Sequence, residues 1–135
     1  MPLVEVQFPG GKQVDARIAG RAIPTDQESH NGGQGQAPEP FQLFLASIAT
    51  CAGIYAKSFC DERDLPAPHG LDMDLSRGDD GLIDRLDLTL RVDPEFPARY
   101  ERAITRAMSL CAVKKHLRQE IETVFTITRN GDTPA

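Results

Sequence analysis

The sequence predicts an α+β fold, and three observations carry that prediction. From Pro40 to Asp64 runs one long apolar helix, PFQLFLASIATCAGIYAKSFCDERD, uncharged from Phe41 through Ala56. A hairpin of alternating polar and apolar residues precedes it, and a second hairpin of the same kind follows it. Antiparallel hairpins set around helices, rather than strands alternating with crossover helices, define this class.

Taken in order, Val4, Val6 and Phe8 alternate with Glu5 and Gln7, and after Pro9-Gly10-Gly11 the alternation resumes as Val14, Ala16 and Ile18 against Gln13, Asp15 and Arg17. That is a strand, a tight turn and a strand. A short segment, Arg21–Pro24, adds a third strand. The stretch Thr25–Pro40, containing HNGGQGQAPEP, offers neither periodicity nor apolar anchors and reads as a mobile loop. Pro40 suits the first turn of the long helix, where its missing N–H would have had no partner. Within that helix Phe41, Leu43, Phe44, Leu45, Ile48, Ile54, Tyr55 and Phe59 fall on every side, which a helix tolerates only if it is enclosed all round. Ala46, Ser47, Ala49, Ala52 and Gly53 let neighbours approach closely.

Beyond the helix, Leu71, Met73 and Leu75 alternate with Asp72, Asp74 and Ser76, and Leu86, Leu88, Leu90 and Val92 with Arg85, Asp87, Thr89 and Arg91. With Arg77-Gly78-Asp79-Asp80-Gly81 as the turn, this is a hairpin with one wet face. Pro94 and Pro97 end it. Tyr100, Ile104, Ala107 and Cys111 then lie opposite Arg99, Arg102 and Arg106 on an amphipathic helix. Leu110, Val113 and Leu117 form a stripe out of phase with the first, so a kink or a fresh helix begins near Ser109. Ile121, Phe125 and Ile127 with Thr123, Thr126 and Thr128 make a closing strand, and Arg129–Ala135 reads as a frayed tail.

At 135 residues the chain fits a single domain, 1–135. Its 40% hydrophobic and 26% charged residues and net charge of −5 are those of an ordinary soluble protein, with no basic excess for nucleic acid. The N-terminus lacks the pattern of a signal peptide, and the uncharged run 41–56 falls short of the ~20 residues of a membrane span. The expected location is the cytoplasm, with no membrane and no nucleic acid as partner. Three cysteines there argue against a disulfide framework.

The chemistry available lies in those cysteines. No glycine-rich nucleotide loop, CxxC or HExxH is present, and His30, His69 and His116 are scattered, so neither a metal site nor a cofactor is expected. Cys51 and Cys60 stand nine residues apart on one helix. They point about 180° apart with ~13 Å of rise between them, beyond the ~7 Å that a disulfide spans between Cα atoms. Cys51 and Cys111 each sit on a core-directed apolar face, and a helix start near Ser109 would bring partial positive charge that favours a thiolate. Buried thiols serve equally as small apolar residues, so redox and packing roles both stand at this point. Cys60, beside Asp61 and Glu62, reads as structural.

The segments FPGGKQVDA, TDQ before a GG-containing loop, APEPFQLFLASIATCAGIYAKSFC and SLCAVKKHL together resemble the OsmC/Ohr family, the osmotically inducible and organic hydroperoxide resistance proteins, from about Phe8 to Ile127. The resemblance implies an OsmC-like, intertwined α+β homodimer, its long central helices buried between sheets built from both chains. It implies a thiol-dependent peroxidase of the oxidative stress response, in which Cys51 attacks the hydroperoxide and Cys111 resolves the sulfenic acid as a disulfide that an external dithiol reductant then opens. Phe41 and Tyr55 are the expected substrate-binding residues, with Lys12 as the cation at the thiolate.

Two positions depart from the family pattern. Phe41, ten residues before Cys51, stands where the family's best-known peroxidases carry a glutamate, and Lys12 stands in place of their arginine, keeping the charge without the bidentate fork. These departures give the alternative of a catalytically weak or inactive OsmC-like domain that binds an apolar small molecule. In either case an all-round apolar helix needs more cover than one chain offers, which makes dimerisation obligate.

Overall fold

The computed structural model describes residues 2–117 and positions 122, 124, 127 and 129. Glu39 and Pro40 set the start of the longest element, α1 (Pro40–Glu62). Proline occupies the first turn as expected, and the Gln42 side chain accepts a hydrogen bond from the Glu39 N–H at 2.9 Å, closing a capping box. The helix ends where Asp64 adopts a left-handed conformation, with the Leu65 N–H bonded to the Cys60 carbonyl at 3.0 Å.

Before α1 stand β1 (Val4–Gly10), β2 (Gln13–Ile18) and β3 (Arg21–Ile23), an antiparallel sheet in the order β1-β2-β3. Val6 faces Ala16 across the first pair, and Gly11, with φ of 56°, supplies the turn conformation that a side chain would oppose. After α1, β4 (Gly70–Arg77) and β5 (Ile83–Arg91) pair antiparallel with Met73 opposite Leu88. The amphipathic segment divides into α2 (Glu101–Ser109) and α3 (Ala112–His116), so the break expected at Ser109 is present. The closing strand and tail expected over 121–135 lie outside the described residues, isolated positions apart.

The core sits where α2 crosses the second half of α1. Ala56, Phe59, Cys60 and Ile104 are buried together, and Tyr100 meets the Phe59 ring edge-on at 5.8 Å between centroids. Ala56 and Cys60 have no exposed surface, and their small side chains allow α2 to approach closely.

Enclosure of α1, expected on all sides, is met among the described residues on one side only. Ile48, Ala52, Ala56, Phe59 and Cys60 make a buried stripe at helical spacing, whereas Phe41, Phe44 and Ile54 stay 40–57% exposed. Apolar composition dictates that a surface be covered, and not by which chain. On the N-terminal sheet Leu3 and Phe8 are largely exposed, and among the described residues its strands pack chiefly on one another. By length and composition alone α1 is long and apolar enough to cross a membrane, because it runs past the uncharged stretch to Glu62. Its packing on α2, α3 and β4 accounts for its apolar stripe as domain core.

Candidate functional site around the cysteines of the long helix

The turn of α1 from Ile48 to Ala52 lies where three elements converge. Its buried side, Ile48 and Ala52, lines a cavity of about 240 Å³ with Leu86 and Leu88 of β5, Met108 of α2 and Cys111. Cys111 is 1% exposed and forms the N-cap of α3. The helix that follows has only five residues, so it carries little of the dipole expected to act on this thiol.

Cys51 belongs to the same turn but points off the buried stripe. It is half-buried and free, about 60° around the helix from Ile48. On this flank it stands one turn before Ile54 and Tyr55, which with Ser58 and Phe59 line an open groove of about 540 Å³ closed by Ala103 and Ala107 of α2. Tyr55, 36% exposed, is therefore a groove residue on the Cys51 flank.

Cys60 is different. It is fully enclosed, and burial pushes its thiol above the ordinary value, with Asp61 adding to the effect and Lys57 and Arg63 opposing it. Desolvation is the larger cause, and the neighbouring carboxylate, the cause read from the sequence, is the smaller.

Phe41 lies a helical turn from Phe44, ring centroids 5.6 Å apart, and the Arg77 guanidinium stands 5.8 Å from the Phe41 centroid. A cation thus sits beside the position where the family pattern has a carboxylate, a neighbour that sequence reasoning did not find. Lys12 follows the tight turn after β1: its stem lies against Gly32, and it lines a small polar cleft with Gly11, Asp26 and Gly33. Among the described residues no three His, Cys, Asp or Glu side chains gather as metal ligands would.

The loop after β3 is also more organised than its composition indicates. Asp26, 1% exposed, accepts hydrogen bonds from the backbone N–H groups of Gln27 at 2.7 Å, Gln36 at 3.1 Å and Gln34 at 3.4 Å. The Gln27 and Gln36 amides hold its carboxyl below the ordinary carboxylate range against the opposing effect of burial, and Gln34 contributes less. Gly33 has no room for a side chain: a Cβ there would run into the Gln27 carbonyl and stand 2.8 Å from Asp26 Oδ1. Glu39 braces the same loop from the helix side, its Oε1 accepting from the Glu28 N–H and the Asn31 side chain, each at 3.2 Å. The sequence signal was the Asp-Gln followed by Gly-Gly, an acceptor ahead of a pair of glycines.

A sequence profile described as OsmC-like protein matches residues 33–126. No curated protein matches the chain. Among solved structures, a Psychrobacter arcticus protein named for osmotic stress induction and a detoxification response superposes with a TM-score of 0.70 at 18% identity, covering 86% of this chain and 88% of that one. An OsmC-like protein from Mycoplasma pneumoniae gives 0.65 at 15% identity over 85% of both chains. The organic hydroperoxide resistance protein OsmC from Legionella pneumophila gives 0.54 at 16% identity, over 85% of this chain and 87% of that one. At these identities the likeness is one of fold.

Proposed function

Because the chain belongs to the OsmC-like protein family, we propose that it reduces organic hydroperoxides to alcohols, with Cys51 as the attacking thiol and Cys111 as the resolving one. The observation that carries this reading is the contrast among the three cysteines. Cys51 is half-buried on the flank of α1 one turn before the groove residues Ile54 and Tyr55, Cys111 is buried against the other side of the same turn of α1, and Cys60 is sealed in the core. The name of the Legionella protein, a hydroperoxide resistance protein of the same fold, lends support.

The Cys51 thiolate takes the terminal oxygen of ROOH and, with one proton taken up from solvent, becomes a sulfenic acid as ROH departs. The Cys111 thiol then attacks that sulfur, water leaves, and a Cys51–Cys111 disulfide remains for an external dithiol to reduce. In this reading residues 1–135 form one domain that works as a cytoplasmic homodimer, the second copy covering Phe41, Phe44 and Ile54. Lys12 is the cation at the thiolate, and Phe41 and Tyr55 supply apolar surface to the substrate. Each methylene buried there is worth at most about 0.8 kcal/mol, which favours alkyl hydroperoxides over hydrogen peroxide.

The test is consumption of cumene hydroperoxide with a dithiol present, by wild type, Cys51→Ser and Cys111→Ser. Loss of turnover in Cys51→Ser, and sulfenic acid accumulating without a disulfide in Cys111→Ser, are the expected results. Wild-type rates in Cys51→Ser would refute the assignment. The Phe41 ring beneath Arg77 favours a second reading, a weakly active domain that holds an apolar ligand. Under that reading cumyl alcohol binds wild type and Cys51→Ser alike while neither consumes peroxide.

A further inference from the structure

In the loop between β3 and α1, Asn31 is followed by Gly32 and Gly33. Asn31 is exposed and ends a single 3₁₀ turn, Ser29–Asn31, and Gly32 after it is left-handed with φ of 89°. The Asn31 side-chain amide donates to Glu39 Oε1 at 3.2 Å, the same oxygen that takes the Glu28 N–H at 3.2 Å. A single carboxylate oxygen at the N-cap of α1 thus holds the loop by two donors, and one of the two is a primary amide that hydrolysis can remove.

We propose that Asn31 is a site of spontaneous deamidation, and that its conversion releases the loop from the start of α1. The Gly32 nitrogen attacks the Asn31 side-chain carbonyl carbon; a C–N bond forms, the bond to Nδ2 breaks, and ammonia departs as a succinimide ring closes. Water then opens the ring at either carbonyl and leaves aspartate or isoaspartate, with no change of oxidation state. Glycine favours the attack, since it puts no Cβ in the way and turns freely about its backbone. The fold holds the reaction back. Attack needs Asn31 extended, whereas Asn31 lies in the 3₁₀ turn and the Gly32 N–H is bonded to the Ser29 carbonyl at 3.1 Å. Conversion therefore proceeds through openings of the loop, and these are limited by Asp26, whose buried carboxylate gathers the Gln27, Gln34 and Gln36 amides. Once formed, a carboxylate at position 31 faces that of Glu39 where a donor stood, so repulsion replaces a hydrogen bond. Isoaspartate also lengthens the main chain by a methylene, which a 3₁₀ turn does not accommodate.

Full-length protein and a synthetic peptide of residues 28–34 are kept in mildly alkaline buffer, and conversion at Asn31 is followed by peptide mapping, which separates it from conversion at Asn130, the other asparagine before a glycine. The protein should convert about tenfold or more slowly than the peptide. Asp26→Asn, which turns a side-chain donor toward backbone donors, should restore most of that factor. Equal rates in protein and peptide would overturn the gating, as would an Asp26→Asn rate no faster than wild type. A peptide that converts while Asp26→Asn shows no conversion at Asn31 would overturn the site itself. Asn31→Asp reads the consequence: hydrogen exchange at the Glu28 amide, whose bond to Glu39 shares the same oxygen, should quicken about fivefold. Exchange unchanged at Glu28 would overturn the release of the loop.

Discussion

Reaction with an aromatic disulfide reagent should rank the three thiols by their surroundings. Cys51 is half-buried at the surface of α1 and reacts without any opening of the fold. Cys60 is enclosed by Ala56, Phe59 and Ile104, so reaching it means parting α2 from α1 and uncovering Phe59 and Ile104. At roughly 1.5–3 kcal/mol for each large apolar side chain, that opening costs about 3–6 kcal/mol, and Cys60 should react about 10²- to 10⁴-fold more slowly than Cys51 at neutral pH. The burial that pushes its thiol above the ordinary value slows it further. Cys111, at 1% exposure but beside the five-residue α3, should fall between them. The assay is stopped-flow absorbance on the reduced folded protein, with peptide mapping of the labelled sites. Labelling of Cys60 within tenfold of the Cys51 rate would refute the packing argument and the separation of a structural from a reactive cysteine.

Gly33→Ala should be among the most damaging substitutions outside the core, because its Cβ meets the Gln27 carbonyl group; overpacking of this kind costs ~1–3 kcal/mol, visible in thermal denaturation, and a neutral result would show that the loop yields easily. Phe41→Glu replaces a cation–π contact of ~0.5–1 kcal/mol with an exposed pair to Arg77 of ~0.2–1 kcal/mol. Stability should hardly change, while hydroperoxide reduction speeds up about tenfold, worth ~1.4 kcal/mol; an unchanged rate would mean that Phe41 does not limit turnover. The pH dependence of stability should fall off on both sides. Cys60 has a raised folded-state value, so its contribution is whole below the ordinary thiol value of ~8.5 and is lost as pH rises through the folded one. Asp26 has a depressed value, so its contribution is present above the ordinary ~3.9 and is lost as pH falls through the folded one. Denaturant midpoints for Cys60→Ala and Asp26→Asn should flatten the alkaline and acid limbs respectively, and a limb left unchanged would refute that assignment. In sedimentation the wild type should remain a dimer at micromolar concentration; a stable folded monomer would contradict the need for a second copy.

Much of the fold was legible because it is written in periodicity. Alternation located both hairpins, Pro40 marked the start of α1, and the phase change at Leu110 announced the break between α2 and α3. The Asp26 loop was not legible, since its order comes from one carboxylate bonding amides one to ten residues away, a pattern without a period. Arg77 beside Phe41 was hidden for a related reason: the two meet only once α1 and β4 are packed. Of the candidate site, the cysteines could be sorted by neighbours and helical angle, whereas the placement of Lys12 depends on a turn whose recorded neighbours are the glycines and Asp26 of the loop after β3. The uncovered side of α1 follows the same logic, because Ile54 reads as core in a helical wheel and is 57% exposed here.

The buried stripe of α1 also bears on how the chain is made. Ile48, Ala52, Ala56 and Phe59 leave the ribosome well before the residues of α2 and the Cys111 turn that cover them. Some 45 residues separate Phe59 from Ile104, about 2–9 s of synthesis at ~5–20 residues per second. Through that interval the nascent chain presents a helix apolar enough to be taken for a membrane segment, with only the β4–β5 hairpin arriving in time to shade part of it. A chain that stops after Arg91 keeps that hairpin but lacks α2, so Ala56, Phe59 and Cys60 lose the cover of Ile104, and such a truncation should be aggregation-prone.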